Sequence, residues 1–210
     1  MSQLAEIGID IDGVLHDFAA SFHNYLLHIE QPGVPKEIDS LEVNYDFFTD
    51  WGIDAEGYED IHDEALQSGF LYNGPVVDQA VSHVNRLSEA GHKIHIITMR
   101  PQEAVLATGR WLVEHDFEFD TLTFSADKTV IRTDAFVEDN PFNYFDLEEA
   151  GCNPFLINRG WNRGAPGMFR RVDSVGDFVD HVIGRTGEEI NEERRRWFDK
   201  SEMIDHNVWY

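Results

Sequence analysis

Residues 4–18 read LAEIGIDIDGVLHDF, and this stretch indicates how the chain folds. Isoleucine occupies every second position from 7 to 11, which predicts a buried strand over Leu4 to Ile11. Gly13 follows and favours a tight turn after the strand. Two carboxylates, Asp10 and Asp12, therefore fall at the carboxyl end of the strand, which is where open α/β sheets bind their ligands.

Beyond residue 75 the sequence alternates between strand-like and helix-like segments. Apolar runs predict strands at residues 93–99, 119–124, 134–137 and 154–157. Helical spacing and glycine stops predict helices at residues 77–90, 102–115, 142–150 and 174–183. Strands joined by helices imply right-handed crossovers and a mostly parallel sheet covered on both faces. The predicted fold class is α/β, with a Rossmann-like parallel sheet.

Residues 14–76 interrupt this alternation. Apolar residues recur at helical spacing from Phe18 to Ile29, and a second helical stretch covers about residues 54–67. These segments predict a small helical cap domain inserted after the first strand. We expect three regions: an α/β core domain (1–15 and 77–185), the helical cap (16–76) and a charged C-terminal extension (186–210).

The charged extension contains three consecutive arginines, Arg194 to Arg196, followed by Trp197 and Phe198. It is compatible with a helix, although apolar residues are sparse until Trp197 and again until Val208 to Tyr210. One interpretation is that it docks a partner or a second copy of the chain, so a homo-oligomer is left open.

The chain is strongly acidic, with 40 Asp and Glu against 16 Lys and Arg and a net charge of −24 over 210 residues. Such a surface repels phosphate polymers and anionic lipid, so polymeric nucleic acid and membranes are poor partners. No apolar run approaches the roughly 20 residues of a membrane span, and no signal peptide is recognisable, so a cytoplasmic protein is expected. The single cysteine, Cys152, excludes an internal disulfide and is expected to be buried.

Further polar residues follow the other predicted strands: Thr98, Arg100, Lys128, and the pair Glu138 and Asp139. Because carboxyl ends of parallel strands meet at one edge, these side chains are expected to share a cleft with the first two aspartates. Several carboxylates in one cleft repel each other unless a cation lies among them. Hard oxygen ligands suit Mg²⁺, which is the predicted cofactor.

These residues resemble the motifs of the haloacid-dehalogenase-like (HAD-like) phosphohydrolases. Asp10 to Val14 (DIDGV) matches the first motif, Ile96 to Thr98 the second, Lys128 the third, and Glu138-Asp139 the fourth. The resemblance covers about residues 4–160, and the inserted cap lies where that superfamily places one. The segments DIDGVLHDF, DKT and EDNP are most similar to the 5′(3′)-deoxyribonucleotidase family.

The resemblance implies a phosphomonoester hydrolase. Asp10 would be the nucleophile that forms an aspartyl-phosphate, and as an ionised carboxylate it needs no base. A charge pair at 4 Å costs about 4 kcal/mol at an effective dielectric of 20, so the phosphate needs Mg²⁺ and Lys128 to offset repulsion. Asp12 would be the general acid and base, a role that calls for a raised pKa.

The resemblance also implies the metal ligands. They are the side chain of Asp10, the backbone carbonyl of Asp12 and the side chain of Asp139, whereas Glu138 is expected to act indirectly or through water. Thr98 would donate its hydroxyl to a phosphate oxygen, the alternative being simple packing at the strand end.

The cap is expected to choose the substrate, for which a nucleoside monophosphate is the first hypothesis. Phe18 would either enter the base pocket or pack in the core of a small bundle. The same two alternatives hold for the other aromatic residues of the cap: Tyr45, Phe47, Phe48, Trp51, Phe70 and Tyr72. Arg100 would reach a phosphate or base, or cap the next helix. Of the ten histidines, only His16 is expected near the cleft.

Two alternatives remain from the sequence. The same chemistry would serve another small phosphomonoester, such as a sugar phosphate or a nucleic-acid 3′-phosphate end. A protein that kept the fold only for binding or assembly is the second alternative.

Overall fold

A computed structural model describes residues 4–201 of the chain, and side chains through residue 197. Its strands are β1 (Glu6–Ile9), β2 (Lys93–Thr98), β3 (Thr121–Phe124), β4 (Ala135–Glu138), β5 (Pro154–Ile157) and β6 (Arg171–Val172). They form one sheet in the order β3-β2-β1-β4-β5-β6, and every pairing is parallel. The predicted α/β class with a parallel Rossmann-like sheet is confirmed.

The helices are α1 (Phe18–His28), α2 (Ala55–Gln67), α3 (Ala80–Glu89), α4 (Val105–Glu114), α5 (Pro141–Glu149), α6 (Val175–Val182) and α7 (Gly187–Ser201). α3 begins three residues later than predicted. Gln79, directly before it, has a left-handed backbone with φ of 55°, and Val77 instead donates its N–H to the Leu15 carbonyl. The chain there returns to the core before it turns into the helix.

The strand β6 was not predicted. Its two residues, Arg171 and Val172, are too few to display an alternating pattern. They extend the sheet by pairing with Leu156 and Ile157 of β5.

The central position of β1 explains why its sequence is almost wholly apolar. It pairs with β2 on one side and β4 on the other, so Ile7 faces both Ile94 and Ala135. A strand buried on both faces contributes to the main apolar core. A second apolar cluster forms around Phe22 and Leu26 of α1, within the predicted cap. The boundaries of the three regions remain predictions.

α7 occupies most of the predicted charged extension. Ile190 on this helix is fully buried, and Glu193 pairs with Arg170 and Arg185. This part of the extension therefore packs against its own chain, whereas the predicted apolar end at Val208 to Tyr210 lies outside the described residues. Within residues 4–201, no helix is both long and apolar enough to span a bilayer.

Candidate active site

The sheet order brings the carboxyl ends of three neighbouring strands together. β1 leads directly into Asp10, β2 ends at Thr98, and β4 ends at Glu138, with Asp139 following. Lys128 comes from a short 3₁₀ turn after β3. Four of the predicted residues therefore line one cleft: Asp10, Asp12, Glu138 and Asp139. Lys128 reaches it through its contact with Asp10, Arg100 lines a smaller pocket with Asp12, and Thr98 is fully buried.

Lys128 pairs with Asp10. Its ammonium donates to Asp10 Oδ1 at 2.5 Å and to the Ile97 carbonyl at 2.6 Å. The Lys128 side chain is only 1 % exposed, so water does not screen this contact. Burial works to lower the pKa of Lys128, but Asp10 and Glu138 outweigh it and raise that pKa, so the cation persists at neutral pH.

Three carboxylates converge beside this lysine. One oxygen each from Asp10, Glu138 and Asp139 lies within 4.8 Å of the others. Burial is the largest cause of the raised pKa of each of these carboxyls, and neighbouring carboxylates raise it further. The pKa of Glu138 is raised to about 7. Glu138 Oε2 is buried and accepts no hydrogen bond from any described residue. Hard oxygen donors with mutual repulsion and an unsatisfied oxygen fit a divalent cation such as Mg²⁺.

A turn after β5 holds Asp139. The indole N–H of Trp161 donates to Asp139 Oδ2 at 2.8 Å, and the Asn162 side chain donates to the Asp139 carbonyl at 2.7 Å. Neither residue is predicted from the sequence, because the loop at 158–167 shows no periodicity that would point toward the cleft.

Asp12 has different partners. Arg100 donates to both of its carboxylate oxygens, at 2.9 and 2.7 Å, and the His16 Nδ1 lies 2.9 Å from Oδ1. Burial works to raise the pKa of Asp12, but Arg100 and then His16 outweigh it and hold that pKa well below its usual range. The expectation of a raised pKa for Asp12 is therefore wrong for this conformation, because its partners are cations and donors rather than carboxylates.

Arg100 is itself buried and held on several sides. Its Nη1 donates to Thr108 Oγ1 at 3.1 Å, its backbone N–H donates to Thr98 Oγ1 at 3.1 Å, and its guanidinium lies 5.2 Å from the centre of the Tyr72 ring. The sequence does not predict the bidentate pairing of Arg100 with Asp12, because this contact depends on the shape of the turn between β2 and α4.

His16 lies where the chain leaves the core and later returns. Its Nε2 accepts from the Gly74 N–H at 3.2 Å, which leaves Nδ1 as the protonated nitrogen that donates to Asp12. The ring is fully buried, and Trp111 packs against it edge-on at 5.3 Å. His16 is therefore near the cleft through Asp12, which lines it, but is itself fully buried. The expectation that no other histidine lies near the cleft is wrong, because His62 packs against Phe18 and lines a small pocket with Asp12 and Arg100.

Aromatic residues of the predicted cap form a wall of the cleft that the carboxylates also line. Phe18 is half-buried at the start of α1 and stacks on Phe22 with ring centres 6.5 Å apart. The cleft has a volume of about 1620 Å³, and several of the predicted cap aromatics line it: Phe18, Tyr45, Phe47 and Phe48.

Other aromatics of that set have different neighbours. Trp51 packs on Phe47 and His23, and Phe70 packs on Tyr25, so both help to form the small apolar cluster of the cap. Phe47 and Phe48 line the cleft and also contribute to this cluster, so both interpretations of the cap aromatics apply, and for these two residues they apply together. Cys152 is buried, as predicted.

Comparison with known proteins places this chain in a family. Residues 4–186 match the family profile described as 5′ nucleotidase, deoxy (pyrimidine), cytosolic type C protein. A protein of Chlorobaculum tepidum, provisionally named a 5′(3′)-deoxyribonucleotidase, is 29 % identical over 167 residues, covering 75 % of this chain and 80 % of that one. A provisionally named nucleotidase of Oceanobacillus iheyensis is 23 % identical over 190 residues, covering 86 % of this chain and all of its own length (100 %).

Solved structures resemble the fold. A HAD-hydrolase of Bacillus subtilis bound to magnesium superposes with a TM-score of 0.57 at 14 % identity, covering 86 % of this chain and 99 % of that one. A dehalogenase gives the same TM-score of 0.57 at 14 % identity, covering 88 % of this chain and 100 % of that one. The family match spans nearly all of the described chain, and the fold agrees with it. The chain belongs to the cytosolic type C 5′-nucleotidase family, and it is a phosphoric monoester hydrolase on a HAD-like fold.

Proposed function

We propose that this protein hydrolyses nucleoside monophosphates, as a 5′(3′)-(deoxy)ribonucleotidase, through an aspartyl-phosphate and with Mg²⁺. The observation that carries the proposal is the convergence of Asp10, Glu138 and Asp139 beside the buried ammonium of Lys128. Family membership supports the reaction class, and the aromatic wall over the cleft supports a substrate with a flat base.

Asp10 is the nucleophile in this mechanism. Its free carboxylate oxygen attacks phosphorus, so that a bond forms between that oxygen and phosphorus while the bond to the substrate's ester oxygen breaks. Lys128 donates to Oδ1 of Asp10, which fixes the carboxylate and offsets its repulsion toward the phosphate.

Asp12 transfers a proton in each of the two steps. It gives a proton to the leaving ester oxygen, then takes one from the water that attacks the phosphorus and breaks its bond to Asp10. Inorganic phosphate and the alcohol leave, and Asp12 is protonated again. In the described conformation Asp12 is ionised and paired with Arg100, so it must leave that partner before it donates a proton.

The residues that would hold Mg²⁺ are the side chains of Asp10 and Asp139 and the backbone carbonyl of Asp12. When bound, the ion supplies positive charge that stabilises the phosphoryl oxygens. Glu138 lies beside them and binds backbone N–H groups of Asp139 and Asn140 through Oε1, which fits a role in orienting the loop. The Thr98 hydroxyl, fully buried at the end of β2, is the proposed donor to a phosphate oxygen.

The base would lie against the aromatic wall. An aromatic face stacked on a base contributes about 1–3 kcal/mol, and Phe18 is the proposed contact. Arg100, once released from Asp12, is the proposed cation for the substrate. In this proposal the protein acts in the cytoplasm, as a single chain or as a homo-oligomer.

The test is phosphate release from three substrates with and without Mg²⁺: a deoxynucleoside monophosphate, a sugar phosphate and an oligonucleotide with a 3′-phosphate. We expect Mg²⁺-dependent release, fastest from the nucleoside monophosphate. Faster release from the sugar phosphate would move the substrate to another small phosphomonoester. Absence of release from all three would contradict the proposal and favour a protein that binds without turnover.

A further inference from the structure

Trp161 contacts two parts of the molecule at once. Its indole N–H donates to Asp139 Oδ2 at 2.8 Å, and its half-buried ring packs on the apolar cluster of the cap. A hydrogen bond to a ligating carboxylate fixes which oxygen faces the ion and which is already engaged. Trp161 is therefore placed to position Asp139, and its ring also lines the cleft.

The turn that carries Trp161, residues 160–163 (GWNR), is also pressed against the cap. A Cβ added to Gly160 would lie 2.2 Å from the carbonyl carbon of Glu42 and 2.4 Å from the carbonyl oxygen of Val43. Arg163 forms an ion pair with the Glu42 side chain, with one contact at 2.6 Å. The loop at residues 40–43 thus contacts this turn closely enough to exclude even one methyl group.

The same turn grips Asp139 from its other side. Asn162 donates to the Asp139 carbonyl at 2.7 Å and to the Ile157 carbonyl at 2.8 Å, and this side chain is fully buried. The backbone and the side chain of Asp139 are therefore both held by one short turn. A displacement of that turn would alter the carboxylate that faces the cleft.

We propose that the turn at 160–163 couples the position of the cap loop at residues 40–43 to the geometry of the metal site. Trp161 is the positioning residue for Asp139. This inference rests on the proposed metal site. It adds that the affinity for the cation depends on the contact between the cap loop and the turn, which the metal ligands alone would not predict.

The first test compares Trp161→Phe with Trp51→Phe. Both tryptophans pack on the apolar cluster of the cap, but the contacts of Trp51 are with His23 and Phe47. Titration with Mg²⁺, followed by calorimetry, should give a dissociation constant about ten-fold weaker for Trp161→Phe and unchanged for Trp51→Phe. Mg²⁺ should also alter the tryptophan fluorescence of the wild type and of Trp51→Phe, and this change should be lost in Trp161→Phe.

The second test addresses the cap contact with Gly160→Ala and its control Gly164→Ala. A Cβ at Gly160 meets backbone atoms of the cap loop, whereas a Cβ at Gly164 meets nothing within 4 Å. Both variants keep Trp161 and Asp139. We expect several-fold weaker Mg²⁺ binding for Gly160→Ala and wild-type binding for Gly164→Ala.

The outcomes separate this inference from the proposed function. If the wild type binds Mg²⁺ and releases phosphate, but Trp161→Phe binds Mg²⁺ equally well, the positioning role is wrong and the function stands. If Gly160→Ala also binds as the wild type does, the link to the cap is wrong. If the wild type binds no Mg²⁺, the metal site and this inference both fall. Should Gly160→Ala not fold, the tryptophan pair still decides the role of Trp161.

Discussion

Asp10 and Asp12 are separated by one residue, yet they lie in opposite electrostatic surroundings. Asp10 shares its side of the cleft with Glu138 and Asp139 and with one buried ammonium, and its pKa is raised. Asp12 shares its side with a guanidinium and an imidazole N–H, and its pKa is held well below the usual range. When two nearby carboxylates lie in such different environments, the same residue type can take different roles in one site.

The comparison also shows which half of the cleft is complete in this conformation. In the Asp10 half, the proposed nucleophile contacts Lys128 and lies close to Glu138 and Asp139. In the Asp12 half, the pairing with Arg100 stabilises the ionised carboxylate, whereas the proposed general acid must carry a proton. The proposed mechanism therefore requires a change in the Asp12 half and little change in the Asp10 half.

The largest expected effect tests the Asp10 half. Asp10→Asn removes the attacking oxygen but keeps the shape of the side chain, so phosphate release should fall by about 10⁴-fold or more. The melting temperature should change little, because the substitution removes the carboxylate from Lys128 but also relieves repulsion with Glu138.

The matched control is Asp60→Asn, an exposed carboxyl on α2. It should keep wild-type turnover, as measured by phosphate release. Substantial turnover by Asp10→Asn would assign the nucleophile to another group and end the contrast drawn between the two aspartates.

The next effect tests the pairing in the Asp12 half. Asp12→Asn leaves the Arg100 side chain, 4 % exposed, without its carboxylate, and should lower the free energy of unfolding by about 2–3 kcal/mol. Arg100→Gln should cost less, since the Asp12 side chain is 31 % exposed and water can solvate it. Urea denaturation of both single variants and the double variant gives the coupling energy, which we expect to be about 1–2 kcal/mol. Strictly additive losses would show that the bidentate contact contributes nothing to stability.

A smaller effect concerns the aromatic wall beside Asp12. Phe18→Ala should raise KM for a nucleoside monophosphate by about ten-fold, because a stacked base contributes about 1–3 kcal/mol. For a sugar phosphate, which has no base, KM should not change. Equal increases for both substrates would indicate that Phe18 supports the cap core through Phe22 rather than the base.

The sequence predicted the Asp10 half better than the Asp12 half, and the reason is geometric. Thr98 and Glu138 end strands of one parallel sheet, and Asp10 and Asp139 directly follow strands of it, so the order of strands alone brings these residues to one edge. The contacts of Asp12 depend instead on the turn after β2, whose shape no periodic pattern describes.

Trp161, Asn162 and β6 are not predicted from the sequence for a similar reason. Trp161 and Asn162 lie in a loop with no repeating hydrophobic pattern, and their hydrogen bonds to Asp139 exist only after β5 and β4 are paired. β6 is too short for alternation to appear. Tertiary placement, rather than local preference, determines each of these features.

The smallest effect is the pH dependence of stabilisation by Mg²⁺. The raised pKa values of the Asp10 cluster, about 7 for Glu138, mean that the folded protein without the ion retains protons that the unfolded chain has released. The contribution of these carboxyls to stability is therefore greatest below about pH 4.5 and declines as the pH rises through 7. Mg²⁺ binds the ionised carboxylates, so its stabilising effect should be larger at pH 8 than at pH 6, by about 1 kcal/mol.

The difference between melts with and without Mg²⁺ isolates this cluster. The pKa of buried histidines such as His16 is lowered, so their contribution to the stability of the fold is lost as the pH falls below 6.5, which is opposite to the trend of the carboxyls. This contribution is the same in both melts, so it cancels in the difference. Asp12 stays ionised over pH 6–8 and also cancels. A stabilisation by Mg²⁺ that is the same at pH 6 and pH 8 would mean that the ion does not bind at the Asp10 cluster, and the contrast between the two halves would lose its functional meaning.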